Sequence, residues 1–293
     1  MNFIKKPSKN SEAIMEMLLS CFLISLMVGI IRHLSRDFHV FFIIAMRNLF
    51  ALFCFLPQLI QSSKELLQTK NLKMHLFRGA NGAVSMVMWF YAISALPLSE
   101  SVALTFTVPI ITTFAASIFF GEKISKKVYI SCFIAFIGVL IILRPGFRSY
   151  NVAHLAVLGA VITWTLTNLL VKQMTKTEKP TTIVAYMSFF IFIFSAPFAL
   201  PYIKAVNLAN FLWLFLVGAL SVIAQILIAS AFKKAPISIL QPFDFSRLIF
   251  TSIIAYFIFG EKPDFFVFLG ALVILAAMIY ALPRRDKTST LLP

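Results

Sequence analysis

Apolar residues run through this chain in long blocks, and polar residues collect in short gaps between them. A membrane helix needs roughly 20 apolar residues to cross the hydrocarbon of a bilayer. On that template ten segments stand out, at about 13–31, 38–60, 74–95, 98–119, 127–143, 152–172, 181–203, 209–232, 236–259 and 264–283. The longest gaps, 61–73 and 173–180, are too short for an inserted soluble domain. The pattern predicts an all-α membrane protein with ten transmembrane helices.

The blocks also repeat. A shift of 139 residues lays Gly79-Ala80 on Gly218-Ala219, Ala92 on Ala231, Pro97 on Pro236 and Ser99 on Ser238. It continues through Phe106 and Phe245, Thr112 and Thr251, Ala116 and Ala255, and ends with Phe120–Lys123 on Phe259–Lys262, both FGEK. A shift of 140 pairs Pro57 with Pro197 and Arg32 with Lys172. Two units follow, residues 13–143 and 152–283, with a short tail over 284–293. Each unit holds five predicted helices, an odd number, so the second enters the membrane from the opposite side. Such inverted repeats are the architecture of many secondary transporters, with the substrate site near the midplane between the halves.

Composition agrees with a membrane chain. The 293 residues are 60% hydrophobic and 13% charged, with a mean hydropathy of +0.92, whereas soluble domains are nearer half apolar and a quarter charged. The net charge of +15 lies in the gaps, where it reports topology rather than a nucleic-acid partner. With the N-terminus inside, seventeen Lys and Arg fall on inner loops and six on outer ones. That bias places both termini in the cytoplasm, and the inner membrane of a bacterium is the expected location. The basic start at Lys5, Lys6 and Lys9 resembles a secretory signal, but no small-x-small cleavage site follows, so the first apolar block reads as an uncleaved helix. Cys21, Cys54 and Cys132 lie within apolar blocks and read as buried small hydrophobes.

Candidate chemistry is confined to a few polar groups inside the blocks. Asp244 and Arg247, spaced i, i+3, share a helix face in the ninth segment, where ionisable groups are costly unless paired or facing a polar cavity. Arg247 suits an anionic substrate group through its guanidinium fork. Arg47 lies deep in the second segment, and Asp244 is the expected partner for it. Two bases and one acid at the midplane give a net charge of +1, which favours cargo bearing a carboxylate or phosphate. Arg78, nearer the inner end of the third segment, is expected to snorkel. Gln241, Thr105, Asn168 and Gln225 are further candidate substrate contacts, and Trp89, Tyr91 and Trp164 candidate cavity aromatics. Gly79, Gly82 and Gly218 suit close helix approach. Pro109 and Pro242 lie inside the fourth and ninth segments and predict bends.

With P-x-S before an apolar helix and F-G-E-K after it, in two five-helix copies, the chain resembles the EamA family of the drug/metabolite transporter superfamily. The resemblance spans about residues 13–283. It implies a ten-helix bundle with inverted halves, a central substrate cavity and alternating access, a small-molecule substrate, and coupling to an ion such as a proton or to an exchanged metabolite. Within that family the stretch from Pro242 to Asp264 is similar to S-adenosylmethionine uptake carriers. It departs from them at Phe243-Asp244-Phe245, where tyrosines are expected, and at Ser246-Arg247, where an acid is expected. Family members also carry amino acids and drugs, so an exporter of such cargo stays open.

Other classes fit less well. There is no G-x-x-x-x-G-K-[ST] phosphate loop and no H-E-x-x-H, so neither an ATP-driven pump nor a zinc protease is expected. No constellation for an intramembrane enzyme is evident, no cofactor is implied, and an uncoupled channel accounts poorly for the midplane charges.

Overall fold

The computed structural model describes residues 9–69, 71–95, 104–144, 152–260 and 265–282. The tail 284–293, the start of the fourth predicted segment, Pro97, Ser99 and Glu261-Lys262 lie outside them. The described residues are helical apart from short turns, with no strands among them. The helices are α1 Lys9–Leu34, α2 Val40–Leu67, α3 Leu72–Ala95, α4 Val108–Phe120, α5 Lys126–Leu143, α6 Val152–Met174, α7 Pro180–Ala199, α8 Leu208–Lys234, α9 Ile237–Asp244, α10 Ser246–Phe259 and α11 Phe265–Ala281. Six spans are long and apolar enough to cross a membrane, with α9 and α10 together supplying one of 22 residues. α4 and α11 are shorter apolar helices.

Local chemistry sets the helix ends. Ser125 and Asn207 are N-caps whose side chains accept from Val128 N and Asn210 N, satisfying amides the helix leaves unpaired. Gly121 and Gly260 close α4 and α10 at φ 64° and 67°, a left-handed geometry that favours glycine. Between the helix ends, large apolar side chains point outward, with Ile118 79% and Phe257 76% exposed. A surface this apolar needs lipid rather than water around it.

The predicted fourth and ninth helices are not continuous. The ninth breaks at Phe245, between α9 and α10. In the first repeat, Leu104-Thr105 is helical, Phe106-Thr107 forms a turn, and α4 begins at Val108. Phe106 and Phe245 occupy the same repeat position, so the break is a repeat property. Pro109 sits at the start of α4 rather than within a helix. Lacking an N–H, and with a ring that clashes with the carbonyl four residues back, it prevents the turn at 105–107 from continuing as α-helix. Pro242 lies inside α9, three residues before the second break.

The repeat is visible in the packing. α1 packs on α8 and α3 on α6, while α2 packs on α7 and α5 on α11. Exchanging the two repeats maps this set of pairs onto itself. Gly79 lies against Phe190, and Gly218 against Phe50, its repeat counterpart. Even the turns match: Asp37 N donates to Leu34 O at 3.0 Å, and Thr177 N to Met174 O at 3.1 Å. The rings of Phe106 and Phe245, each at its repeat's break, stack on one another at 5.9 Å.

Glu122 of the FGEK motif acts across the repeats. Its two carboxylate oxygens accept from Ile237 N at 3.1 Å and Ser238 N at 3.0 Å, so an acid from the first repeat caps the start of α9 in the second. A carboxylate there satisfies orphan amides and complements the positive end of the helix dipole. Beside it, Lys172 Nζ donates to the carbonyls of Phe232 and Ala235 at the end of α8. Glu122→Gln keeps the shape but removes the charge, and is expected to destabilise the protein by about 1 kcal/mol. A melting curve in detergent, with Glu12→Gln as a control for a half-buried acid paired to Lys234 at 3.4 Å, checks this; equal melting temperatures for both variants and the parent would rule the cap out.

Candidate functional site

Because the fourth helix of each repeat is broken rather than continuous, polar groups at the breaks face inward. Between the two repeats lies a cavity of about 240 Å³, walled by α1, α3, α4, α6, α8, α9 and α10. From α9 and α10 it receives Gln241, Asp244 and Arg247; from α6, Trp164, Thr167 and Asn168. Gln225, Thr105, Phe106 and Arg78 complete its polar and aromatic lining.

Asp244 and Arg247 form an ion pair through Oδ1 and one terminal guanidinium nitrogen. The break at Phe245 leaves the i, i+3 pair on one face. α1 braces it. Ser25 Oγ donates to the Arg247 carbonyl at 3.0 Å, Thr251 Oγ1 donates to Ser25 Oγ at 3.1 Å, and the Cys21 thiol lies 3.7 Å from Asp244 Oδ1. The Arg247 side chain keeps 36% of its surface and that of Asp244 12%, while the Arg247 Nε is buried without a hydrogen-bond partner. The base therefore retains donors that its acid does not use.

Arg78 enters from the opposite side. It is 3% exposed and lines the cavity, so it does not snorkel. Its Nη1 donates to the Ile183 carbonyl at 3.4 Å, and its Nε is also buried without a partner. One turn on, the Asn81 amide donates to Thr163 O at 2.8 Å and to Thr167 Oγ1 at 2.9 Å, which fixes α3 against α6. The lining thus holds two guanidinium groups and one carboxylate, and among the described residues no other charged side chain reaches it. Trp164 supplies a flat wall and rests on Trp89 at 5.5 Å.

Seven of the ten residues expected to contact substrate line this cavity: Asp244, Arg247, Gln241, Thr105, Trp164, Asn168 and Gln225. Three do not. Trp89 stands behind Trp164 as support. Tyr91 is 50% exposed and points away from the cavity. Arg47 makes no ion pair with a described residue, and its buried Nε has no partner. Its expected acid, Asp244, is taken by Arg247. The reason is placement: α2 packs on α7 and α8, whereas Arg247 is one helical turn from Asp244 on its own segment. The second base of the cavity is Arg78, not Arg47. A sign of this was in the sequence, since His75, Arg78, Asn81 and Ser85 recur at helical spacing and all four are buried.

Residues 12–144 and 151–282 each match the EamA-like transporter family. A riboflavin transporter of Brucella anthropi is 30% identical over 82% of this chain and 86% of that one. An S-adenosylmethionine uptake transporter of Rickettsia bellii is 25% identical, covering 87% of this chain and 88% of its own. A solved crystal structure shares the fold at a TM-score of 0.79 with 13% identity, covering 92% of this chain and 96% of that one.

Proposed function

We propose that this chain, which belongs to the EamA-like transporter family, carries a small anionic metabolite by alternating access through the cavity between its repeats. The protein is a multi-pass inner-membrane transporter and not an enzyme. The observation that carries the reading is the pairing of Arg78 and Arg247 across a lining with a single acid, Asp244. In a low-dielectric cavity a second guanidinium with no carboxylate of its own in the lining favours an anion there. A carboxylate or phosphate placed between the arginines would meet the guanidinium surface that faces the cavity.

The topology in this reading is ten crossings, two inverted units over 13–143 and 152–283, and both termini with the tail 284–293 in the cytoplasm. The pattern of end contacts supports it. Glu16 with Lys234, Glu122 with Ile237, His75 with Glu178, and Lys127 with the Leu282 carbonyl bridge one end of the bundle. Lys204 with the Asp37 carbonyl, His39 with Tyr202, and Arg144 with Phe266 bridge the other. Strict alternation of ten spans gives this sorting.

Trp164 and Phe106 as flat walls, with the side chains of Asn168, Gln225 and Gln241 nearby, favour a cargo whose anionic group is joined to a planar heterocycle. Riboflavin and S-adenosylmethionine are therefore the first probes. In proteoliposomes, saturable uptake that accelerates when the same compound is loaded inside is expected for one of a panel of such metabolites. Arg78→Met should raise the half-saturation concentration at least tenfold, about 1.4 kcal/mol, while Arg47→Met leaves it unchanged. Flux linear in concentration would mean a channel, and the reverse ranking of the two arginines would remove Arg78 from the site.

A further inference from the structure

The polar stripe on α3 does not end at the cavity. At the start of α3, His75 Nε2 lies 2.7 Å from Glu178 Oε2, with their side chains 0% and 3% exposed. Glu178 Oε1 accepts from Thr69 Oγ1, Asn71 Nδ2 donates to Thr177 Oγ1 at 3.2 Å, and the His75 ring stacks on Tyr186 at 4.4 Å. This cluster joins the two repeats, with Thr69, Asn71 and His75 from the first and Thr177, Glu178 and Tyr186 from the second. The His75 Nδ1 is buried with no hydrogen-bond partner.

The repeat shows that packing does not require these groups. Under the shifts that align the two copies, His75, Arg78, Asn81 and Ser85 correspond to Leu214, Val217, Leu220 and Ala224, and Glu178 corresponds to Phe38. Phe38 and Leu214 belong to one apolar core cluster. The same seam is built once from hydrocarbon and once from an acid, a base and an arginine. Buried ionisable groups are costly, and here the frame has an apolar solution at hand.

We infer that His75 and Glu178 form a proton-binding site coupled to the central cavity through Arg78. The ionisable groups facing His75 among the described residues are Glu178, Arg78 one turn along α3, and the Tyr186 phenol. With a neutral imidazole the pair carries −1 and offsets Arg78. One proton from water, taken on the imidazole, converts the pair to imidazolium and carboxylate with no net charge. Arg78 is then uncompensated where it lines the cavity, and an anion there is favoured. Proton uptake and anion binding thus help one another, as linkage requires. The orphan Nδ1 is unsatisfied as lone pair or as N–H while the seam is closed, and opening the seam to water relieves it.

What the proton drives rests on the alternating-access reading; the proton site does not. The test uses the full-length protein in nanodiscs, in a Trp213→Phe background that leaves Trp89 and Trp164 as reporters and removes the ring that contacts His33. With ¹⁵N-labelled histidine, the signal lost in His75→Gln should titrate in the parent, and tryptophan emission should change with the same midpoint. Glu178→Gln keeps the shape and one acceptor oxygen but loses the charge and the second acceptor, so it stands in if His75→Gln fails to fold. Loss of the emission change in either variant supports the site. An unaltered emission change in a folded variant, or a His75 signal that does not titrate, overturns it. Titration without counterflow of riboflavin or S-adenosylmethionine supports the proton site and counts against the carrier reading alone.

Discussion

Arg247→Met is expected to reduce transport at least 100-fold. Losing one member of a buried charge pair costs about 2–5 kcal/mol; with Arg247 partly exposed the low end of that range applies, and 100-fold is about 2.8 kcal/mol. Two effects are mixed in that number. The variant removes the guanidinium offered to cargo, and it also leaves Asp244 as an unpaired acid braced against Cys21 and α1. A double variant separates them. Asp244→Asn with Arg247→Met removes both charges of the pair, so the folded yield should return towards the parent while transport stays low. Arg247→Lys keeps the charge and loses the two-pronged donor geometry, and an intermediate rate is expected. If the double variant transports like the parent, the pair is a structural brace, and Arg78 alone carries the anion chemistry.

Gly218→Val should prevent accumulation of folded protein. A Cβ at Gly218 would sit 2.7 Å from Phe50 Cβ and 3.0 Å from both Ala51 N and the Arg47 carbonyl. Two of those atoms are backbone and the third is the root of a side chain, so none can swing aside. Overpacking at an interface costs about 1–3 kcal/mol or more, a large share of the 5–15 kcal/mol that typically holds a protein folded. Phe50→Ala does not rescue it, because alanine keeps the clashing Cβ. Gly82→Ala is the control, since only the Ile191 side chain lies near, at 3.4 Å. Monodisperse yield after detergent extraction reads the difference. Equal yields for Gly218→Val and Gly82→Ala would show that α2 and α8 can separate without loss.

Several residues were legible because their roles are local in sequence. Asp244 and Arg247 share a face by spacing alone, and the ninth segment places them at mid-membrane before any packing is known. Gly79 and Gly218 align in the repeat, and a glycine kept in both copies of an apolar helix points to close approach. Depth along a helix points to Arg47 rather than Arg78 as the cavity base, because rotation about the helix axis is not readable from the sequence. Arg78 lies nearer the helix end, yet α3 packs on α6 and turns that face inward; Arg47 lies deeper, yet α2 packs on α7 and α8. The role of Glu122 is invisible without its partner, since the amides it caps lie 115 and 116 residues away.

The sequence by itself determined the membrane class, the positions of most helices, the duplicated unit and the asymmetric charge in one copy. It did not show the breaks in the fourth and ninth segments or the extension of the second to Leu67. What it determined depends on composition, on period or on spacing within a segment, and those are one-dimensional quantities. Only the tertiary structure decided which face of each helix turns inward, which arginine is paired and which meets the cavity. It also set the break at Phe106 and Phe245 and the meeting of His75 with Glu178. These depend on how helices from different repeats rotate against one another. That rotation follows from the shape of many small contacts between distant segments, and no single stretch of the chain encodes it.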